Sequence, residues 1–463
     1  MLLCSNRGSP VSVFDSSAIE VNTFGFNLPC RQFLISAERT RERKLPMVDE
    51  FVLRVLHTVG RISPARLARF FGFEGRDVGI VIAELVDRNL VVFEGDDLAL
   101  HPAAQELFRT SDASRPRLTS TERLDASVWF DLISKNLVAG RGLRRVRHLI
   151  DLRPPEGAAI ESSDARSAFT SNFSSFLKLR GDRNVDQWTL YSILDTHPGR
   201  FSSAQIHGSE RLSLVPDPKL ETILPLSEFE NRERGRKIQE TITSQLRERG
   251  SAAPSQAAVT EFSKLTGSTF LRRKLRYDGT VDLSAFLSGD VESSGDWTPF
   301  VGSPYIERNR QLIAGLLAVR GGKESTLWWL RPGGLRWGLT EDLSATLELL
   351  RSRFRDAQSA LTTTLVAPHL TKGVVQHQLL FDRGVHAASG GIALAIEALV
   401  IPDLLAAVSV MVHLSPSVVV PIGYATNERS CIRRVWEGLE LPAATVAHKP
   451  LWSREKQSRA DPN

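Results

Sequence analysis

Two histidines and an aspartate stand close together in the segment "VVQHQLLFDRGVHAASGG": His377, Asp382 and His386. Imidazole and carboxylate at this spacing can ligate a metal or work as an acid/base pair, so these three are the candidate catalytic residues. The chain is otherwise poor in such groupings. Cys4, Cys30 and Cys431 lie far apart with no CxxC and no neighbouring histidine pair, so no zinc site, disulfide framework, metal or cofactor is expected. "AVRGGKEST" around Lys323 misses the phosphate-loop pattern, because Leu317 replaces its first glycine and Glu324 its metal-binding hydroxyl. "PDPKLE", Asp217 to Glu221, is too short and proline-bound for a paired-carboxylate nuclease site. Where a lone cluster of this kind lies in a buried strand-turn region its role is structural, and a non-enzymatic protein is expected.

Positive charge is the second theme. The formal net charge is +5 over 463 residues, a modest tilt toward polyanions. "RRKLRY" places Arg272, Arg273, Lys274 and Arg276 within five positions, a run able to follow a phosphate backbone. Further groups are Arg141, Arg144, Arg145 and Arg147, and Arg351, Arg353 and Arg355; only convergence on one surface would make a site of them. Trp328, Trp329 and Trp337 with Arg331 and Arg336 have the composition of a stacking platform for unpaired bases. The segment around Asp382 is similar to the HxKxxxxD motif of phospholipase D-like enzymes. Aligned on Asp382, the motif's histidine falls on Val375 and its lysine on His377, which implies at most a degenerate phosphodiesterase or nuclease site in the C-terminal half.

The elements that would position these groups are clearest between residues 46 and 108. "DEFVLRVLHTV" carries apolar residues at helical spacing, and "GRI" suits a short strand. Ser63 followed by Pro64 is a helix start: the hydroxyl accepts a free amide hydrogen while proline fixes φ. A third helix is expected from Arg76 to Arg88, burying Val78, Ile82, Leu85 and Val86. Strands Leu90 to Phe93 and Leu98 to His101 then flank a turn at Glu94 to Asp97. This order resembles the winged-helix superfamily of MarR- and ArsR-like regulators. The resemblance implies a helix-turn-helix in which residues 76 to 88 enter the major groove of double-stranded DNA, with Arg61, Arg66, Arg69, Arg76 and Arg88 as contacts. The turn "EGDD" is acidic where such a turn offers cations to phosphate, so docking of a protein partner is the alternative.

The remainder reads as mixed structure. Residues 1–45 form an N-terminal arm; 46–108 a winged-helix domain; 124–250 a mixed α+β domain; 255–450 a C-terminal α/β domain. "RTSDASRPRLTSTER", residues 109 to 123, is a polar linker, and "SAAPSQAA" a hinge. "SSAQIHGSERLSLVP" alternates like a hairpin turning at His207-Gly208, and "LWWLRPGGLRWGL" gives a second hairpin signal. Residues 228 to 249 form a charged helix with Ile238, Ile242 and Leu246 along one stripe. Gly391 to Leu414 is apolar but carries Glu397, Pro402 and Asp403, which argues against a membrane span; a buried helix, a break and a second buried element are expected. With no basic n-region at the N-terminus, a cytoplasmic location is expected. The fold class expected is an α+β multidomain protein, an N-terminal winged helix followed by mixed α/β domains. Its expected role is that of a non-enzymatic, DNA-associated protein, such as a transcription regulator or an accessory part of a mobile-element or antiviral defence system. A protein-interaction scaffold is the second possibility.

Overall fold

Along "IEVNTFGFNLPCRQFLISA" the buried side chains change parity. Phe24, Phe26, Leu28 and Cys30 are buried at even positions, then Phe33, Ile35 and Ala37 at odd ones. Side chains alternate across a strand, so such a switch puts opposite faces of one strand into two different cores. The computed structural model shows this strand, Ile19–Arg43, as the centre of a sheet. The even set packs with Ile238, Ile242 and Leu246, and the odd set with Phe169, Phe173, Phe176 and Leu177.

The structure describes residues 18–43, 45–108, 116, 118–154, 161–214, 217–224, 232–248, 254–277, 279–283, 296–319, 321–322, 324–334, 336–368, 374–387, 395–441 and 451–453. In chain order the elements begin with β1 (Ile19–Arg43), α1 (Met47–Val59), β2 (Arg61–Ile62), α2 (Pro64–Phe71), α3 (Gly75–Asp87), β3 (Val91–Glu94), β4 (Asp97–Leu100) and α4 (Pro102–Gln105). Next come β5 (Leu118–Asp131), β6 (Leu137–Val138), β7 (Ile150–Asp151), α5 (Ser162–Ser171), α6 (Phe173–Arg180), β8 (Trp188–Ser213), β9 (Lys219–Ile223), α7 (Arg232–Glu248), α8 (Gln256–Thr266) and α9 (Phe270–Lys274). The chain continues through β10 (Thr298–Val301), α10 (Glu307–Leu316), β11 (Ser325–Leu330), α11 (Glu341–Asp356), β12 (Leu361–Ala367), β13 (Arg383–His386) and β14 (Ile396–Ile401). It closes with β15 (Leu405–Ser415), β16 (Val418–Thr426), α12 (Arg429–Gly438) and β17 (Trp452–Ser453).

This architecture overturns the expected N-terminal winged helix followed by mixed α/β domains. The described residues start on β1, which belongs to a six-stranded sheet of order β6-β5-β1-β8-β9 with β7 beside β1, and its long strands run antiparallel. Residues 19–43 are therefore the spine of a sheet and not a free arm. The helices between residues 47 and 105 leave from the end of β1 and return to β5, and those strands pair continuously from Cys30↔Asp131 to Arg43↔Leu118. They form an excursion from a long β-hairpin, with their own small core around Leu53, Leu56, Leu67 and Leu85 and a three-stranded sheet β2-β4-β3.

The second sheet has the order β10-β16-β15-β14-β11-β12-β13-β17. Its β11, β12 and β13 are parallel; its other pairings are antiparallel. Helices cover both faces. On one, α8, α9 and α12 pack over Trp328, Leu330, Ala398 and Val400; on the other, α10 and α11 pack over Trp329, Leu365 and Leu399. Strands buried on both faces read as unbroken apolar runs, and an unbroken run does not distinguish helix from strand. For that reason Gly391 to Leu414 misled: its described part is β14 and β15, turning at Pro402-Asp403 with Asp403 at φ +62°. "LWWLRPGGLRWGL" is likewise no hairpin, because β11 pairs with β12 and β14. His207-Gly208 is not a turn but lies inside β8. Among the described residues, no helix is long and apolar enough to cross a membrane.

The start of β1 joins the two sheets. Val21 belongs to the core of the second sheet, and its carbonyl accepts the Ser303 N–H at 2.8 Å. Gly25 N–H reaches Leu339 O at 2.7 Å, and the Thr23 hydroxyl donates to Asp342 at 2.7 Å. Gly302, at φ +96°, lets this approach happen: a Cβ there would lie 2.9 Å from the Val21 backbone.

Candidate functional site

The sequence-predicted DNA contacts separate into two groups. Arg61 pairs with Glu94, and Arg88 places Nη1 2.7 Å from the buried Asp49 carboxylate, so both guanidinium groups hold the helical excursion together. Arg66, Arg69 and Arg76 are exposed. Beside Arg76, the outward face of α3 carries Asp77, Glu84 and Asp87, and the turn after β3 adds Asp96. That surface holds more carboxylate than guanidinium, an unfavourable match to a phosphate backbone.

Nor do His377, Asp382 and His386 form one site. The Asp382 carboxylate accepts the Thr363 N–H and hydroxyl, each at 2.8 Å, and Arg351 Nη2 at 3.3 Å. Burial raises its pKa, but the Thr363 and Arg351 donors outweigh that and hold it below the usual carboxylate range. His377 is fully buried with its ring 5.2 Å from that of Trp337. Burial, then the charges of Arg331 and His148, pull its pKa down to about 3, so it is neutral at pH 7. His386 lies on β13 opposite Ala367. Among the described residues no group of three His, Cys, Asp or Glu side chains is placed to hold a metal.

The basic run has a different setting. Phe270 and Leu271 bury one side of α9 while Arg272, Arg273 and Lys274 stay exposed. A turn follows, closed by Gly279 N–H to Arg276 O at 3.0 Å with Gly279 at φ +82°, and it is tied to β15 where Val281 N–H donates to His413 O at 2.7 Å. A cavity of about 520 Å³ opens between this turn, β15 and the first turn of α8, with Arg272, Arg276, Tyr277, His413, Ser255 and Gln256 on its wall. Arg272 has no ion-pair partner among the described residues, whereas Arg276 meets Asp282 at 3.4 Å. Tyr277 is fully exposed. Cations and an aromatic ring together suit a phosphate carrying an aromatic base.

The tryptophans expected to stack on bases are instead interior. Trp329 is wholly buried and Trp328 and Trp337 nearly so. Both Trp329 and Trp337 donate their indole N–H to Glu397 Oε1, at 2.9 and 2.7 Å. The Arg331 guanidinium is fully buried nearby; Nη2 donates to Gly334 O at 2.5 Å, and Nη1 has no partner among the described residues. Burial pulls the Arg331 pKa down to about 10 and, working the other way on an acid, pushes Glu397 up to about 7. The sequence did carry a signal for Glu397, a carboxylate inside an apolar run, but not its partners. Comparison of the chain with models of protein families, with curated proteins and with solved structures finds no match to any of them.

Proposed function

We propose that this protein binds single-stranded nucleic acid without transforming it, a phosphate entering the cavity beside α9 and a base stacking on Tyr277. The cavity itself carries the reading, because it gathers Arg272, Arg276 and His413 around a space of about 520 Å³ beneath an exposed aromatic ring. Phosphate contacts position a strand without reading its sequence, and a ring accepts any base. The Arg273 and Lys274 charges beside the cavity extend the attraction along the backbone. The acidic face of α3 and the acidic turn after β3 favour this surface over a duplex contact by the helical excursion.

The test is fluorescence anisotropy with a labelled oligothymidylate and a labelled duplex across a salt series. Arg272→Ala with Arg276→Ala is expected to weaken single-strand binding about tenfold or more, equivalent to roughly 1.4 kcal/mol. It should also flatten the dependence of log K on log salt by about 1.4, since each lost phosphate contact contributes ~0.7 on a single strand. Tyr277→Ala should cost affinity at unchanged slope. Undiminished affinity in the double variant, or absence of binding by the native protein at low salt, would overturn the reading.

A further inference from the structure

We propose that the cavity between the two sheets is a binding site for a small organic amine, its ammonium group held by Glu397 and Glu210. This inference is independent of the nucleic-acid reading. The cavity measures about 210 Å³, room for a small metabolite. Both sheets build it: Asn22 and Glu210 come from β1 and β8, Glu397 from β14, and Tyr305 and Trp337 from the loops before α10 and after β11.

Each carboxylate faces this space underpartnered. Glu397 is 4% exposed, and only its Oε1 accepts hydrogen bonds from described residues, leaving Oε2 without one. Glu210 Oε2 takes a long hydrogen bond from Asn22 at 3.3 Å, and its Oε1 is 3.8 Å from Arg336 Nη1. Arg336 spends Nε and Nη2 on Leu246 O. The wall thus presents two carboxylates against one guanidinium, with Arg331 behind Glu397 and outside the lining. An incoming ammonium supplies the missing donors, and the rings of Trp337 and Tyr305 suit a cation. The Tyr305 hydroxyl already donates to Asn22 Oδ1 at 2.9 Å, so its oxygen remains an acceptor toward the cavity ligand.

Glu397 gives the site a pH signature. The groups that face it are Arg331, Tyr305, Glu210 and Arg336, with His377 behind the Trp337 ring. Burial holds its pKa near 7, so it is mostly protonated at about pH 5.5 and ionised at about pH 8.5, while an alkylammonium stays charged across that range. Amine binding therefore strengthens as pH rises.

The experiment is calorimetric titration of the whole chain with ethanolamine and 1,4-diaminobutane, beside glycerol and acetate as neutral and anionic probes. Saturable amine binding is expected at about pH 8.5, at least tenfold weaker at about pH 5.5. Glu397→Gln, which keeps an acceptor for both indoles, should weaken binding about tenfold and flatten the pH dependence, leaving only the part due to Glu210, whose pKa burial also raises. Should that variant fail to fold, Glu210→Gln serves the same purpose and is expected to lose about tenfold as well. The proposal is overturned if neither amine binds, if glycerol or acetate binds as tightly, or if a folded carboxylate variant binds like the native chain.

Discussion

At the scale of single residues, His377 and Glu397 act on stability in opposite directions. His377 is buried neutral, and its folded pKa of about 3 lies below the ordinary histidine value. The unfolded chain takes up a proton first as pH falls below ~6.5, so stability is lost by about 1.4 kcal/mol per pH unit from there toward pH 3. For Glu397 the folded pKa of about 7 lies above the ordinary carboxylate value. The unfolded carboxylate ionises first, so stability is lost as pH rises from ~4.5 to about 7, roughly 3 kcal/mol in all. Between pH ~4.5 and ~6.5 the two trends nearly cancel. His377→Leu and Glu397→Gln, followed by urea unfolding across this range, should tilt the pH profile in opposite senses; parallel profiles would contradict the burial argument. Both residues were visible in the sequence, His377 as a candidate catalyst and Glu397 as a flaw in an apolar run. Neither identity disclosed the indole that touches it, because Trp337 reaches both from a separate loop.

At the scale of elements, the charged helix α7 was legible because one stripe of Ile238, Ile242 and Leu246 meets a single core. β1 was not, since its apolar pattern changes parity midway, and β8 was obscured by a glycine that looks like a turn. Gly208 serves close packing instead: a Cβ there would come 2.6 Å from the Leu224 side chain and 3.4 Å from Phe24. Gly208→Ala should cost about 1 kcal/mol in chemical unfolding, the lower end for overpacking because the end of a leucine can yield. A stabilising effect would count against the packing. The helical excursion offers a second check at Arg88, whose removal leaves the Asp49 carboxylate buried without its cation. Because Arg88 is itself more than a third exposed, solvent screening limits the expected loss to about 1–2 kcal/mol for Arg88→Ala. Hydrogen exchange should show that loss confined to residues 47–105, since they share a core apart from the large sheets.

Across the whole molecule, the contact of Gly302 with Val21 is one of the places where the two sheets are joined. Gly302→Ala meets backbone on one side and a disfavoured φ on the other, so a loss of about 3 kcal/mol or more is expected in thermal or urea unfolding. A cost below about 1 kcal/mol would mean the junction tolerates a shift. This joining is long-range and was invisible to local pattern reading. The same distance has a consequence for biosynthesis. β1 is made early, yet its partner β8 ends at Ser213 and pairs back to Ile19 through Leu212. At roughly 5–20 residues per second, the ribosome needs about ten to thirty seconds between completing β1 and completing β8. During that interval a long strand rich in phenylalanine has only β5 and the short β7 to shield one edge, so the nascent chain is most exposed to aggregation, and most dependent on chaperones, before β8 is complete.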